Sequence, residues 1–291
     1  MKAANFDYSC AASIDEACRL LAGANGEGRV IAGGQTLVPL LAMRLARPQL
    51  LVDVNRIAEL RGIDVRDGVI TVKACTTQAD ALASETIRER VPLLAKALGF
   101  VGHTQTRNRG TIGGSLANAD PAAEICMAAL ALDCDIVARS VTSERIIPSA
   151  KFFQGAMTTA LTPDECLTEA RFPLWREPGR VGTGFQEVSI RRGDFALLAV
   201  AVQALLDDGN CRRIAIVVGG LGGAPIRAHA AADALVGTRL EAADLSRATA
   251  ALQGSIEPQS DIHASSDYRR RVAGALLQRA IADARNDAAK A

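Results

Sequence analysis

The chain has 291 residues, which is enough for one large or two medium-sized domains with a substantial core. Hydrophobic residues make up 49% of the chain and charged residues 22%, and 33 basic against 32 acidic side chains give a formal net charge of +1. This balance, together with 3% aromatic residues, excludes the basic and aromatic surfaces typical of nucleic-acid-binding proteins.

The predicted elements of the first half alternate between helix and strand. Residues 13–22 combine an N-cap serine, early acidic residues and apolar residues at helical spacing, which predicts an amphipathic helix. Periodicity then predicts, in order, strand 29–32, helix 36–46, strand 49–54, a hairpin of 61–66 with 68–74, helices 77–84, 91–98 and 121–130, and strands 134–140 and 167–172.

Residues 174–184 are rich in glycine, proline and arginine and mark a predicted domain boundary, where Trp175 is expected to pack between domains. Beyond it, strands are predicted over 184–191, 197–206 and 213–219, followed by alanine-rich helices from residue 228. Strands followed by helices indicate an α+β class. We expect two domains, over residues 1–176 and 177–291.

Targeting and metal-binding signals are missing from the sequence. The N-terminus has no basic segment followed by an apolar core, and the apolar run 195–206 is too short to span a membrane. Seven cysteines, an odd number without any C-x-x-C pair, disfavour a disulfide framework, a zinc site and an iron–sulfur cluster in this chain. We therefore expect a cytoplasmic protein without a membrane span or a metal site of its own.

The first of two glycine-rich turns follows the predicted strand 29–32. It comprises Ala32, Gly33, Gly34, Gln35 and Thr36, and Leu37 opens the next helix. Glycine permits positive φ and a close approach of a ligand to the main chain, and the N–H groups of such a turn suit a diphosphate. The spacing matches neither G-x-G-x-x-G nor the P-loop, so a Rossmann NAD site is not predicted.

The second glycine-rich turn precedes the predicted helix 121–130. It comprises Thr111, Ile112, Gly113, Gly114 and Ser115. Hydroxyl groups beside glycine N–H groups form a neutral cradle for phosphate. Asn118, Asp120 and Glu124 follow where the loop passes into the helix, and a carboxylate there can accept hydrogen bonds from both hydroxyls of a ribose.

Each turn also has a purely structural interpretation, because a Gly-Gly pair most often makes a tight connection that touches no ligand. Two such turns with polar flanks, one after a strand and one before an apolar helix, together favour a dinucleotide site. From composition and spacing alone, both interpretations stay open.

Two motifs together resemble those of the FAD-binding medium subunit of molybdenum hydroxylases, the family of carbon monoxide dehydrogenase and xanthine dehydrogenase. They are A-G-G-[HQ]-[ST]-L near residue 32 and R-N-x-G-T-I-G-G-[NS] near residue 107. Residues 192–196 and 219–225 resemble the C-terminal flavoprotein domain of this family, so the resemblance covers nearly the whole chain. It implies a PCMH-type FAD-binding domain of two α/β subdomains, followed by a smaller α/β C-terminal flavoprotein domain.

The resemblance also implies which residues bind FAD. Both glycine turns would wrap the diphosphate, Glu124 would face the ribose, Val101 would lie near the adenine and Leu167 near the isoalloxazine ring. The implied cofactor-binding residues are Ala32, Gly33, Gly34, Gln35, Thr36, Leu37, Val101, Thr111, Ile112, Gly113, Gly114, Ser115, Asn118, Asp120, Glu124 and Leu167. No catalytic residue and no metal ligand is implied.

The sequence departs from relatives at two positions. Gln35 stands where some relatives, and the distant covalent flavoproteins, carry a histidine, so we expect non-covalent FAD. Glu187 stands where xanthine dehydrogenase-type members have a lysine near the flavin, which puts direct NAD use in doubt. Arg107 and Arg109 suit phosphate binding and contact with a partner subunit equally well. His103 is expected to form hydrogen bonds within its own loop, because electron relay needs no general base.

These features predict the FAD-carrying electron-transfer subunit of a molybdenum hydroxylase complex. It would take electrons from a small [2Fe-2S] subunit that serves a large molybdopterin subunit, in a dimer of heterotrimers, and pass them to an external acceptor. One alternative is a self-contained FAD-dependent small-molecule oxidoreductase, which requires a catalytic base or a covalent attachment residue near the ring. Another is a scaffold module whose glycine turns bind nothing.

Overall fold

The computed structural model, which describes residues 2–290, opens with a three-stranded parallel sheet in the order β1-β3-β2. The elements are β1 (Asp7–Cys10), α1 (Ile14–Gly23), β2 (Gly28–Ile31), α2 (Leu37–Ala42) and β3 (Leu50–Asp53). Ser13 begins α1 as predicted, because its side chain accepts a hydrogen bond from Glu16 N and so satisfies a free N–H group of the first turn. This sheet with its two helices is the first subdomain.

The second subdomain is built on a five-stranded antiparallel sheet in the order β4-β5-β10-β6-β7. The elements are a 3-10 helix (Ala58–Leu60), β4 (Ile63–Arg66), β5 (Val69–Lys73), α3 (Gln78–Ala83), α4 (Glu85–Arg90), α5 (Pro92–Leu98), α6 (Thr104–Arg107), α7 (Ile112–Asn118), α8 (Glu124–Ala131), β6 (Asp135–Arg139), β7 (Glu144–Pro148), α9 (Ser149–Phe152), β8 (Phe153–Gly155), β9 (Thr158–Thr159) and β10 (Cys166–Pro173). The predicted hairpin corresponds to β4 and β5, and the last strand in sequence, β10, takes the centre of the sheet.

The C-terminal part is a four-stranded antiparallel sheet in the order β11-β12-β13-β14, covered by helices. The elements are β11 (Arg180–Val188), β12 (Leu198–Asp207), β13 (Asn210–Gly219), β14 (Ile226–Arg227), α10 (His229–Asp233), α11 (Ala242–Ser255) and α12 (Ser266–Lys290). The strand predicted over 184–191 begins earlier, at Arg180, inside the segment assigned to the boundary. The predicted α+β class is confirmed.

The two faces of the C-terminal sheet pack against different helices. Gly182 and Gly184 lie against the backbone of α12, where a Cβ would be 1.9 Å from Ala284 O and 2.0 Å from Ala280 O. The opposite face carries Phe185, which belongs to the core of the N-terminal part. All residues of α8 are buried, because this helix lies between the N-terminal elements and that opposite face. One hydrophobic cluster therefore extends across both parts of the chain, and a second lies between the C-terminal sheet and its helices.

Trp175 contacts a side chain of the C-terminal sheet. The guanidinium of Arg213, on β13, lies over the Trp175 ring at 4.2 Å from its centroid, and Arg213 also pairs with Asp133 at 3.2 Å. Within residues 2–290, no helix combines the length and the apolar character that crossing a lipid bilayer requires.

Candidate functional site

A cavity of about 780 Å³ lies between the two subdomains, and the loop after β11 closes part of its rim. Both predicted glycine turns line this cavity, which falls in the size range of cofactor sites. The predicted site residues that line it are Ala32, Gly33, Gly34, Gln35, Thr36, Leu37, Val101, Thr111, Gly113, Gly114, Ser115, Asn118, Asp120, Glu124 and Leu167. The structure thus brings together, in one cavity, residues that are far apart in sequence.

Ile112 is the exception among the predicted site residues. Its side chain is fully buried in the hydrophobic core and does not line the cavity. Its N–H group donates to Thr76 O at 3.0 Å, so neither the side chain nor the N–H group faces a ligand.

The first turn presents a row of free backbone donors. Within residues 2–290, the N–H groups of Gly33, Gly34, Gln35, Thr36 and Leu37 donate to no acceptor. Gly34 has φ +70°, a left-handed conformation that glycine adopts without strain and that curves the turn. Consecutive free N–H groups in such a turn, followed by the N-terminus of α2, form an anion-binding concavity.

The two turns are in direct contact through Gly33. A Cβ on this residue would lie 2.2 Å from Arg109 O and 2.8 Å from Gly110 Cα, both in the segment that leads into the second turn. Any side chain at position 33 would therefore collide with backbone atoms. The absence of a side chain lets the turns form one continuous wall of the cavity.

The second turn contributes differently from the prediction. Its residues start α7, and its backbone donors are already engaged: Gly113 N donates to Ala74 O at 2.9 Å and Gly114 N to Thr111 Oγ1 at 3.0 Å. Ser115 N donates to Thr111 O at 3.1 Å. The groups of this segment that remain free at the cavity are side chains. They are the hydroxyl of Ser115 and the amide of Asn118, which lies three residues further along α7. Neither group has a hydrogen-bond partner in the described part of the chain.

The acidic residues of the site occupy contrasting environments. Asp120 Oδ1 accepts from Ala122 N at 2.9 Å, in a turn that Ala119 enters with φ 48°. Glu124, at the first position of α8, is 8% exposed, and burial raises its pKa to about 8, with the charges of Glu187 and Asp120 adding to the shift. Burial also raises the pKa of Glu187, on β11, to about 7.

Arg107 forms hydrogen bonds within its own loop. Its guanidinium donates to Val101 O at 2.8 Å and to Gly102 O at 3.1 Å, so it holds the loop before α6 in place. His103 forms no hydrogen bond through its side chain within residues 2–290, contrary to expectation. Its ring instead lies against Gly193, where a Cβ would be 2.6 Å from His103 Cε1. This contact joins the loop before α6 to the loop after β11.

Several cavity residues were not predicted from the sequence. Gln78, at the start of α3, is 6% exposed, and its Oε1 atom is buried without a hydrogen-bond partner beside Gly110. Thr158 and Thr159 reach the cavity from β9, and residues 193–195 reach it from the C-terminal part. No periodicity marks these positions. Their proximity depends on contacts between residues far apart in the chain.

Comparison with known proteins identifies the family. Residues 4–175 match the family model described as the FAD binding domain in molybdopterin dehydrogenase, and residues 183–284 match the CO dehydrogenase flavoprotein C-terminal domain. The chain belongs to the molybdopterin dehydrogenase FAD-subunit family. It is the medium, FAD-binding subunit of a molybdenum hydroxylase, an oxidoreductase component, as the resemblance of the two glycine motifs implied.

Relatives of this FAD subunit act in different complexes. The chain is 39% identical, over 98% of its length and 96% of the relative, to the 6-hydroxypseudooxynicotine dehydrogenase complex subunit alpha of Paenarthrobacter nicotinovorans. A carbon monoxide dehydrogenase structure from Hydrogenophaga pseudoflava superposes with a TM-score of 0.95 at 31% identity, covering 99% of this chain and 100% of that one. Quinoline 2-oxidoreductase from Pseudomonas putida 86 gives a TM-score of 0.94 at 35% identity, with 99% of both chains covered.

FAD fits the residues present in the cavity. The free N–H groups of the first turn supply the donors that a diphosphate needs, and Gly33 keeps the wall open to the main chain. The unpartnered Gln78 Oε1 and the free polar groups of Ser115 and Asn118 suit the many hydroxyl and ring-nitrogen groups of this cofactor.

Proposed function

We propose that this FAD subunit is the electron-transfer link of its complex. It takes electrons from the iron–sulfur clusters of a small [2Fe-2S] partner, which a large molybdopterin subunit reduces, and passes them to an external acceptor. The observation that carries this proposal is the cavity with its cradle of free N–H groups, which suits a diphosphate. Within residues 2–290, no three or more metal-ligating side chains cluster together. FAD supplies the redox chemistry, and the chain holds and orients it.

We assign the cofactor contacts as follows. The N–H groups of residues 33–37 hold the diphosphate, and Ser115 and Asn118 add side-chain hydrogen bonds. Glu124 faces the ribose, Val101 the adenine and Leu167 the isoalloxazine ring, as proposed from the family motifs. Their common position on the cavity wall supports this assignment. We add Gln78, whose buried carbonyl oxygen needs a donor that FAD can provide.

The domain boundary that we propose lies between Arg176 and Glu177. Its support is that β10 ends at Pro173 and β11 begins at Arg180. We also propose a dimer of heterotrimers as the assembly and the cytoplasm as its location. The seven cysteines support the latter, because all of them are free thiols.

Purification of the tagged chain from its native source tests the proposed role. We expect two further chains to co-purify, with molybdenum and iron in the complex, whereas the isolated chain holds FAD but neither metal. Metal analysis and flavin absorbance measure both. Substrate turnover by the isolated chain, without partners, would instead support a self-contained FAD oxidoreductase.

The attachment of FAD gives a separate prediction. Gln35 is an amide whose Nε2 donates to Gly33 O at 3.1 Å, and an amide cannot form the covalent link that a histidine forms at this place in related flavoproteins. We expect acid precipitation of the flavin-loaded chain to release all of its flavin into the supernatant, measured by fluorescence. Flavin that stays with the precipitated protein after repeated washing would contradict non-covalent binding.

A further inference from the structure

Two glutamates, the buried Glu124 and the half-buried Glu187, lie at the seam, which we define as the contact between α8 and the sheet β11-β12-β13. Glu124 begins α8 and lines the cavity. Glu187 on β11 is opposite Ala199, which is in turn opposite Gly219. Directly opposed residues point to the same face of a sheet, and a Cβ on Gly219 would lie 2.5 Å from Met127 Sδ of α8. The side chain of Glu187 therefore lies on the sheet face that α8 covers, close enough to Glu124 for its charge to raise the pKa of Glu124.

The cationic side chains on elements packed around α8 are engaged elsewhere or exposed. Lys96 of α5 pairs with Asp287 at 2.8 Å, and Arg227 of β14 pairs with Asp133 beyond the opposite end of α8. Lys151 of α9 is exposed. Within residues 2–290, neither seam glutamate has a cationic partner, so no positive charge compensates two carboxylates at the seam.

Of the remaining groups near the pair, Ser189 lowers the pKa of Glu187, but burial outweighs this effect. Asp120 is acidic, and Cys126 is a fully buried thiol whose Sγ donates to Ser115 O. Glu187 Oε2 is buried without a hydrogen-bond partner. The N-terminus of α8 does favour a carboxylate on Glu124, but this effect is smaller than the cost of burial, since the pKa of Glu124 is raised to about 8.

We propose that Glu187 is a positioning residue that adds to the effect of burial and keeps Glu124 protonated, so that the cavity presents a neutral carboxyl to FAD. This proposal rests on the proposed FAD contacts. A neutral carboxyl donates one hydrogen bond and accepts others, whereas a carboxylate is acceptor-only. In a buried site, a carboxylate would also repel the negative diphosphate of the cofactor. Affinity for FAD should therefore fall as the pH rises through the titration of the pair.

Fluorescence titration of the cofactor-free chain with FAD measures this effect. We expect the affinity to fall at least about tenfold between about pH 6 and about pH 9. In Glu187→Gln, loss of the negative neighbour should move the midpoint down by about one pH unit. Glu124→Gln removes the titrating carboxyl, so its affinity for FAD should not change with pH. Glu89→Gln, an exposed acid on α4, is the matched control and should behave as wild type.

An affinity that does not depend on pH in the wild type, or a midpoint that Glu187→Gln leaves in place, overturns the proposal while FAD binding stands. Failure to bind FAD at any pH would count against the proposed function. The pair itself is then tested by NMR titration of ¹³C-glutamate-labelled, cofactor-free chain. We expect carboxyl resonances that titrate near the raised pKa values, about 7 and about 8, and that disappear in the two seam variants. Titration of all glutamates in the ordinary range would overturn it.

Discussion

Gly33→Ala should reduce the affinity for FAD by at least about 100-fold, or about 3 kcal/mol. The new Cβ would lie 2.2 Å from Arg109 O, and a methyl group has no alternative rotamer that avoids a backbone atom. The two turns would have to separate, which displaces the row of free N–H groups in the first turn. Fluorescence titration with FAD measures the loss of affinity.

Gly23→Ala is the matched control for this experiment, because position 23 at the end of α1 has nothing within 4 Å of a new Cβ. It should bind FAD as the wild type does. Thermal unfolding of both cofactor-free variants separates a lost site from a lost fold. Wild-type affinity in Gly33→Ala would show that the contact between the turns is not needed for binding.

Gly184→Ala should destabilise the chain by about 3 kcal/mol. Position 184 lies where β11 crosses α12, and the added Cβ would be 2.0 Å from Ala280 O and 2.7 Å from Ala280 C. Because both contacts are backbone atoms of a helix that is buried along one side, the strand and the helix must move apart and lose packing along their length. The midpoint of urea denaturation measures the change.

Gly254→Ala provides the opposite expectation within the same part of the chain. This glycine lies inside α11 with nothing within 4 Å of a new Cβ, so alanine should stabilise by about 0.5–1 kcal/mol through its higher helix propensity. Equal midpoints of urea denaturation for Gly184→Ala and the wild type would mean that α12 can move away from β11 without loss of stability.

Gly184 also explains a limit of the sequence prediction. Residues 174–184 contain three glycines and a proline, which is typical of a linker, so the sequence predicts a boundary where β11 begins. In the structure, Gly182 and Gly184 are strand residues whose missing side chains allow the approach of α12, about 100 positions later in the chain. Only the long-range packing distinguishes this use of glycine from a turn.

The β12–β13 hairpin illustrates what local signals predict well. Its two apolar runs and the turn 207–210 between them are visible in the sequence, and the strands end at Asp207 and begin again at Asn210. The second glycine turn illustrates the contrary case. Gly113-Gly114 indicates a loop, yet both residues belong to α7, because Ile112 N bonds to Thr76 O across a separation that no local pattern records.

The burial of α8 constrains how such subunits can be recombined. This helix belongs to the FAD-binding part by sequence, but residues of β12 and β13 also cover it. A chimera that joins the first domain of one relative to the second domain of another therefore inherits two halves of a core that did not evolve together. Successful exchange of acceptor or partner preference between relatives would require the residues facing α8 to be transplanted as a set, with Met127 and Gly219 kept as a matched pair.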